Sequence, residues 1–147
     1  MTALTQAEAD ALLTMHKRPL DNRPYQLPDL GGRLLVPLES LDAREAFTLD
    51  ISRGRINLAK GTYQHRARQT VILARLDFGG APHRNPDEAE IGIPHLHLYR
   101  EGFADKWASP VPPDQFRTLG DRWDLLTDFM RFCAIVEPPE FDRSLFA

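Results

Sequence analysis

Four stretches of alternating residues follow one another between positions 47 and 99, and this pattern limits the chain to few folds. They are FTLDIS (47–52), RINLAKGTYQ (55–64), RQTVILARLDF (68–78) and HLHLY (95–99). Alternation places every second side chain on the same face of a strand. Consecutive strands with mostly short connections favour an antiparallel meander. With RLLVPL (33–38) as an edge strand, we predict a sheet of four to five strands, in which Ile56 and Leu58 point inward.

Two helices are predicted to flank this sheet. Thr5 and Glu8 match a capping box, so the first helix is placed at 1–18. The second helix is placed at 121–136, starting at Asp121 and carrying apolar residues at helical spacing. Two helices packed on one face of an antiparallel sheet give an α+β fold. The chain of 147 residues is predicted to be a single domain, 1–147, with the sheet over 33–99.

Positive charge is concentrated in the middle of the chain. Residues 52–84 contain seven Arg and Lys residues and one Asp, which gives +6, whereas the whole chain carries −3. This asymmetry favours a basic surface for an anionic partner such as RNA, although a solvated basic hairpin would show the same pattern. The single cysteine, Cys133, cannot form an internal disulfide, which is typical of a cytoplasmic protein. No apolar run is long enough for a membrane span, so no membrane partner is predicted.

The strand HLHLY places His95, His97 and Tyr99 on one face. In a meander the same face collects Arg75 and Asp77 from the strand before it. Histidine transfers protons near neutral pH, and arginine stabilises charge on a transferring phosphoryl group. The alternative is that these residues are satisfied polar groups that brace the sheet.

These residue types predict a metal-independent endoribonuclease that needs no cofactor. His95 and His97 would be general acid and base in unassigned order, Arg75 and Lys60 would hold the scissile phosphate, and Tyr99 would support them. Further residues are predicted to bind the substrate: Arg53, Arg55, Arg66 and Arg68 along the RNA backbone, and His83 and Asn85 in a loop over the open face.

Two other functions stay open. The spacing His95-x-His97-x3-Glu101 is similar to the first metal motif of cupins, although no histidine follows His97. It predicts a metal-dependent enzyme that uses His95, His97 and either Glu101 or His83. The run HLHLY also resembles the histidine-triad nucleotide hydrolases, with Tyr99 in the third place. The third hypothesis is a non-enzymatic module that binds or inhibits a protein.

A longer pattern resembles a family of small uncharacterised bacterial and phage proteins. It comprises Lys60-Gly-Thr, Leu73-x-Arg-Leu-Asp, Pro82-His-x-Asn-Pro-Asp and His95-x-His-x-Tyr. The layout of a helix followed by a meander sheet also resembles the RNase toxins of the barnase and RelE kind. That resemblance implies a toxin-like or phage-related role, with an antitoxin or a host target as a protein partner.

Overall fold

The computed structural model describes residues 3–142. Within them lie α1 (Gln6–Thr14), β1 (Lys17–Pro19), β2 (Tyr25–Gln26), β3 (Arg33–Ser40), β4 (Ala46–Arg53), β5 (Gly61–Ala67), β6 (Val71–Phe78), β7 (His83–Arg84), β8 (Glu90–Ile91), β9 (His95–Leu98), β10 (Ala108–Pro110), α2 (Arg122–Phe132) and β11 (Phe141–Asp142). Neither helix in this range is long and apolar enough to cross a membrane. The ends of the predicted domain, residues 1–2 and 143–147, lie outside the described residues.

One large antiparallel sheet dominates the α+β fold, as predicted. Its strand order is β1-β3-β4-β5-β6-β9-β10, so most neighbours in the sheet are also neighbours in the chain. The predicted four to five strands are too few, because the sheet has seven. The additional strands β1 and β10 contain three residues each, which is too short for an alternating pattern to reveal them.

The sheet has one apolar face, on which Phe47, Leu49 and Ile51 are buried as their alternation predicts. Tyr63 lies directly opposite Ile51 and shares that face. Its hydroxyl donates to the backbone oxygen of Arg122 at 2.8 Å, and its ring packs on Phe129 of α2. These contacts join α2 to one residue of the apolar face; that both helices pack on this face stays a prediction.

The helices are shorter than the sequence suggested. The capping box of Thr5 and Glu8 is present, but α1 ends at Thr14 and the chain is extended at Met15, so residues 17–19 join the sheet. Asp121 caps α2, which ends at Phe132 instead of reaching 136. A buried lysine, Lys17, lies close to both of these helix ends.

Lys17 joins the C-terminal ends of both helices. Its side chain is fully buried, and Nζ donates to the backbone oxygens of Leu13 and Cys133 at 2.8 Å each. Nζ also lies 4.7 Å from the centre of the Phe47 ring. A cation is favourable at helix C-termini, but burial still lowers the pKa of the Lys17 ammonium to about 8.

The predicted strand at 55–64 begins later than expected, at Gly61. Residues before it form a turn that the backbone amide of Gly54 closes on the oxygen of Lys60. Ile56 is therefore 94% exposed and Leu58 is exposed as well, in contrast to the predicted inward positions. The pairing at Gly61 needs glycine, because a side chain there would clash with the Phe78 ring.

Candidate functional site

Two rows of polar residues cross the face opposite Tyr63. One row runs through Thr62, Asp77 and His95, and the other through Gln64, Arg75 and His97. Residues directly opposite each other in antiparallel strands have neighbouring side chains on one face. The structure therefore brings Arg75, His95 and His97 together, and adds Asp77, which the sequence analysis placed on the face but gave no role.

Asp77 is the centre of this cluster. Its Oδ2 atom lies 3.2 Å from His95 Nε2 and 3.3 Å from His97 Nε2, while Oδ1 accepts a 2.9 Å hydrogen bond from the Thr62 hydroxyl. Burial acts to raise the pKa of Asp77, but a hydrogen bond from His97, when its Nε2 carries a proton, and the charge of Arg75 outweigh it. These contacts hold the pKa well below its ordinary value, so the carboxylate is ionised.

The backbone determines which nitrogen of each histidine carries the proton. His95 Nδ1 lies 3.0 Å from the oxygen of Gly92, and His97 Nδ1 lies 2.8 Å from the oxygen of Asp105. A carbonyl oxygen can only accept, so both Nδ1 atoms are assigned as donors. In the neutral rings the Nε2 lone pairs then face Asp77. Metal-binding histidines are commonly oriented in this way by a backbone carbonyl.

Arg75 connects the cluster to a second carboxylate. Its Nη1 lies 2.6 Å from Asp105 Oδ2, its Nη2 lies 3.0 Å from His97 Nε2, and its Nε lies 3.3 Å from Asp77 Oδ2. A guanidinium only donates, so neutral His97 accepts from Arg75, whereas protonated His97 would donate to Asp77. With neutral histidines the cluster holds two carboxylates and one guanidinium, which leaves one negative charge uncompensated among them.

The β7–β8 hairpin covers one side of the cluster. The His83 ring meets the His97 ring edge-on at 4.5 Å, and His83 Nε2 donates to the oxygen of Lys106 at 2.8 Å. His95 and His97 are buried, whereas about a quarter of the Asp77 side chain is exposed (24%). Solvent therefore reaches the cluster on the side of Asp77.

Asn85 fastens this hairpin to β10 instead of facing a substrate. It is buried, donates to the oxygen of Ala108 at 2.9 Å and accepts from the amide of Ala108 at 2.8 Å. The predicted substrate-binding role of Asn85 therefore has no support from its contacts, which are those of a structural clamp.

Replacing Asn85 with alanine is expected to lower the free energy of unfolding by about 2 kcal/mol, because two buried backbone groups lose their partner. Urea unfolding measures the change. Asn57→Ala is the matched control, since Asn57 also bonds a backbone oxygen, that of Gly79, but is exposed. The control should lose less than about 1 kcal/mol; equal losses would contradict the clamp.

Tyr99 and Glu101 do not reach the cluster. Strand β9 ends at Leu98 and the chain turns between Arg100 and Ala104, so the alternation on which both positions depended stops there. The Tyr99 hydroxyl donates to the oxygen of Leu4 at 2.6 Å. The Glu101 carboxylate accepts from the amide of Gln6. The metal set His95, His97 and Glu101 is therefore not assembled.

Most of the basic residues predicted to follow RNA have partners within the protein. Arg66 forms a two-point ion pair with Asp50, Arg68 pairs with Glu45, and Arg53 donates to the backbone oxygen of Pro28. Lys60 and Arg55 are exposed in the β4–β5 turn. Of the four arginines predicted to follow RNA, Arg66 and Arg68 are thus ion-paired with acidic residues that precede the basic segment in the chain.

The sequence analysis gave no role to three side chains of this site. It placed Asp77 on the polar face, and the alternation of Asp77 with Arg75 in Leu-x-Arg-Leu-Asp could also have suggested its role beside His95. The position of Thr62 beside Asp77 depends on the strand register, which the sequence does not specify. Asp105 arrives through the loop after β9, and no pattern in the sequence indicates its return.

Residues 4–135 match a family of unknown function, DUF6978, and this match spans α1 through α2 and the three residues after it. The chain belongs to this family. The prediction of an uncharacterised family is therefore confirmed, while the resemblance of this DUF6978 chain to barnase and RelE toxins stays a prediction. No curated protein and no solved structure matches it significantly.

Proposed function

We propose that this chain is a hydrolytic enzyme that depends on a divalent transition metal. The ligands are Asp77 Oδ2, His95 Nε2 and His97 Nε2. The observation that carries the proposal is their convergence, since the ligand atoms of these three side chains lie within 4.8 Å of one another. Imidazole nitrogen together with a carboxylate oxygen suits zinc, iron and related metals.

The distances from Asp77 Oδ2 to the two histidines are those of ligands around one ion, and all three ligand atoms lie within 4.8 Å of one another. Two ligands that are each about 2.1 Å from a tetrahedral zinc ion lie about 3.4 Å apart. Asp77 Oδ2 lies 3.2 Å from His95 Nε2 and 3.3 Å from His97 Nε2. The carboxylates of Asp77 and Asp105 and the Nδ1 bonds to backbone oxygens favour a cation at the same place.

Three protein ligands leave a further position for water, which is typical of catalytic zinc sites. A metal lowers the pKa of bound water and so supplies hydroxide for attack on a carbonyl or phosphoryl group. The exposed part of Asp77 supports access from solvent. This proposal takes up the metal-dependent alternative of the sequence analysis, with Asp77 in place of Glu101.

Cobalt and zinc titrations of the purified protein test the proposal. We expect one equivalent to bind to the wild type, with the visible absorption of low-coordinate cobalt, and to be lost in His97→Ala. His16→Ala is the control, because His16 is an exposed histidine at the end of α1. Hydrolysis of model phosphoesters and esters should require the bound metal. A wild type that binds no metal would contradict the proposal.

RNA cleavage without a metal is the second candidate. The proximity of Arg75, His95 and His97 favours it, while the ion pairs of Arg66 and Arg68 count against the predicted RNA path. Incubation with mixed RNA in excess chelator separates the two candidates. Cleavage that persists in chelator and disappears in Arg75→Ala and His97→Ala supports the metal-independent mechanism. Binding of a protein partner that survives His97→Ala would support the non-enzymatic hypothesis instead.

A further inference from the structure

We propose that Arg75 competes with the metal for His97 and Asp77 and thereby sets the metal affinity of the site. This inference rests on the proposed function, since it assumes that the Asp77, His95 and His97 cluster binds a divalent metal. It assigns to Arg75 a regulatory role, in contrast to the phosphate-binding role that the sequence suggested.

The guanidinium forms hydrogen bonds with the atoms that would be ligands of the metal. Arg75 Nη2 lies 3.0 Å from His97 Nε2, and Arg75 Nε lies 3.3 Å from Asp77 Oδ2. A neutral imidazole nitrogen has a single lone pair, which serves either a hydrogen-bond donor or a metal. An ion about 2.1 Å from both ligand atoms would stand where the guanidinium hydrogens point. Metal binding therefore requires Arg75 to leave His97 Nε2 and to make room for the ion beside Asp77 Oδ2.

Asp105 provides the position to which Arg75 can withdraw. The ion pair between Arg75 Nη1 and Asp105 Oδ2, at 2.6 Å, uses a different nitrogen from the contacts to His97 and Asp77. The backbone oxygen of Asp105 accepts from His97 Nδ1 at 2.8 Å, so this residue is held beside the site. Arg75 can thus keep one charged partner while it gives up the other two.

The expected effects of two substitutions have opposite signs. Arg75→Gln removes a competing donor and a positive charge beside the ion, so metal affinity should rise by about tenfold or more. Asp105→Asn removes the alternative partner, so Arg75 should hold Asp77 and His97 more firmly and metal affinity should fall. If Asp105 acts through Arg75, the second substitution should have little effect once Arg75 is replaced.

The experiment is a zinc titration by calorimetry of the wild type, Arg75→Gln, Asp105→Asn and the double variant. Arg66→Gln is the matched control, because it removes another arginine that is ion-paired with an aspartate, Asp50. The control should bind zinc as the wild type does. Arg75→Lys retains the charge but not the forked donor, and it provides an independent variant with an expected affinity between those of the wild type and Arg75→Gln.

The outcomes separate this inference from the proposed function. The competition is supported if Arg75→Gln binds zinc more tightly than the wild type. It also requires that Asp105→Asn lowers zinc affinity and that this effect disappears in the double variant. Equal or weaker binding by Arg75→Gln overturns it, although the metal site stands. If Asp105→Asn lowers zinc affinity as much in the Arg75→Gln background as in the wild type, Arg75 does not withdraw to Asp105. Failure of every variant and the wild type to bind zinc would refute the proposed function itself.

Discussion

Between pH 8 and pH 10.5 the wild-type protein is expected to gain about 3 kcal/mol of stability relative to a Lys17→Met variant. The pKa of Lys17 is lowered by burial to about 8 in the folded protein, against an ordinary value of 10.5. In this interval the unfolded chain binds the proton and the folded protein does not, so stability rises with pH. Below pH 8 both states are protonated and the cost of burying the ammonium is present in full.

The neutral amine keeps the structural role of Lys17. It still has two hydrogens for the backbone oxygens of Leu13 and Cys133, so the helix ends stay joined as the charge disappears. Burial also raises the pKa of the Cys133 thiol to about 12. This group therefore lowers the free energy of unfolding as pH rises above 9. That contribution is common to wild type and variant, and it largely cancels in their difference.

Urea unfolding at several pH values measures this difference. Lys60→Met is the matched control, because it removes a lysine that is exposed in the β4–β5 turn. A Lys17→Met difference that stays constant from pH 7 to pH 10.5 would show that the buried ammonium carries no such cost.

Asp77→Asn is expected to weaken metal binding by more than about 100-fold, since even residues that only orient a ligand are worth 10–100-fold. The asparagine oxygen can keep the hydrogen bond from the Thr62 hydroxyl, so the fold should survive. Its amide group would then point at the Nε2 atoms of His95 and His97, where it donates instead of binding an ion. The charge that attracts the cation is lost as well.

The matched control is Asp50→Asn. Asp50 is also a buried carboxylate on the polar face and is ion-paired with an arginine, Arg66, but it belongs to β4 and not to the cluster. Cobalt absorption and calorimetry should show wild-type binding for Asp50→Asn, with circular dichroism to establish folding of both variants. Retained affinity in folded Asp77→Asn would remove Asp77 from the ligand set and with it the proposed centre.

The sequence predicted the polar face better than the strand boundaries. Alternation alone placed Arg75 and Asp77 on one face of β6 and His95 and His97 on one face of β9, and the structure brings the four side chains together. The same argument failed for Tyr99 and Glu101, because it assumed that β9 continues beyond Leu98. It failed for Ile56 as well, because β5 begins only at Gly61, where glycine is required beneath Phe78.

The excess of basic residues in one segment did not predict an RNA-binding surface. The excess of positive charge in residues 52–84 suggested a surface for RNA, yet Arg66 and Arg68 are paired with Asp50 and Glu45. These carboxylates precede the basic segment in the chain and meet it only because β4 pairs with β5. Net charge along a segment therefore does not report the charge that a folded surface presents.

The sequence by itself determined which side chains share a face, since the pleat is a local property of the backbone with a period of two residues. It also determined the antiparallel order, because short connections join neighbouring strands. Only the tertiary structure decided the register that sets Thr62 beside Asp77 and the return of the loop that brings Asp105 to Arg75. Those contacts depend on the packing of the whole sheet and its connections, and no short pattern encodes them.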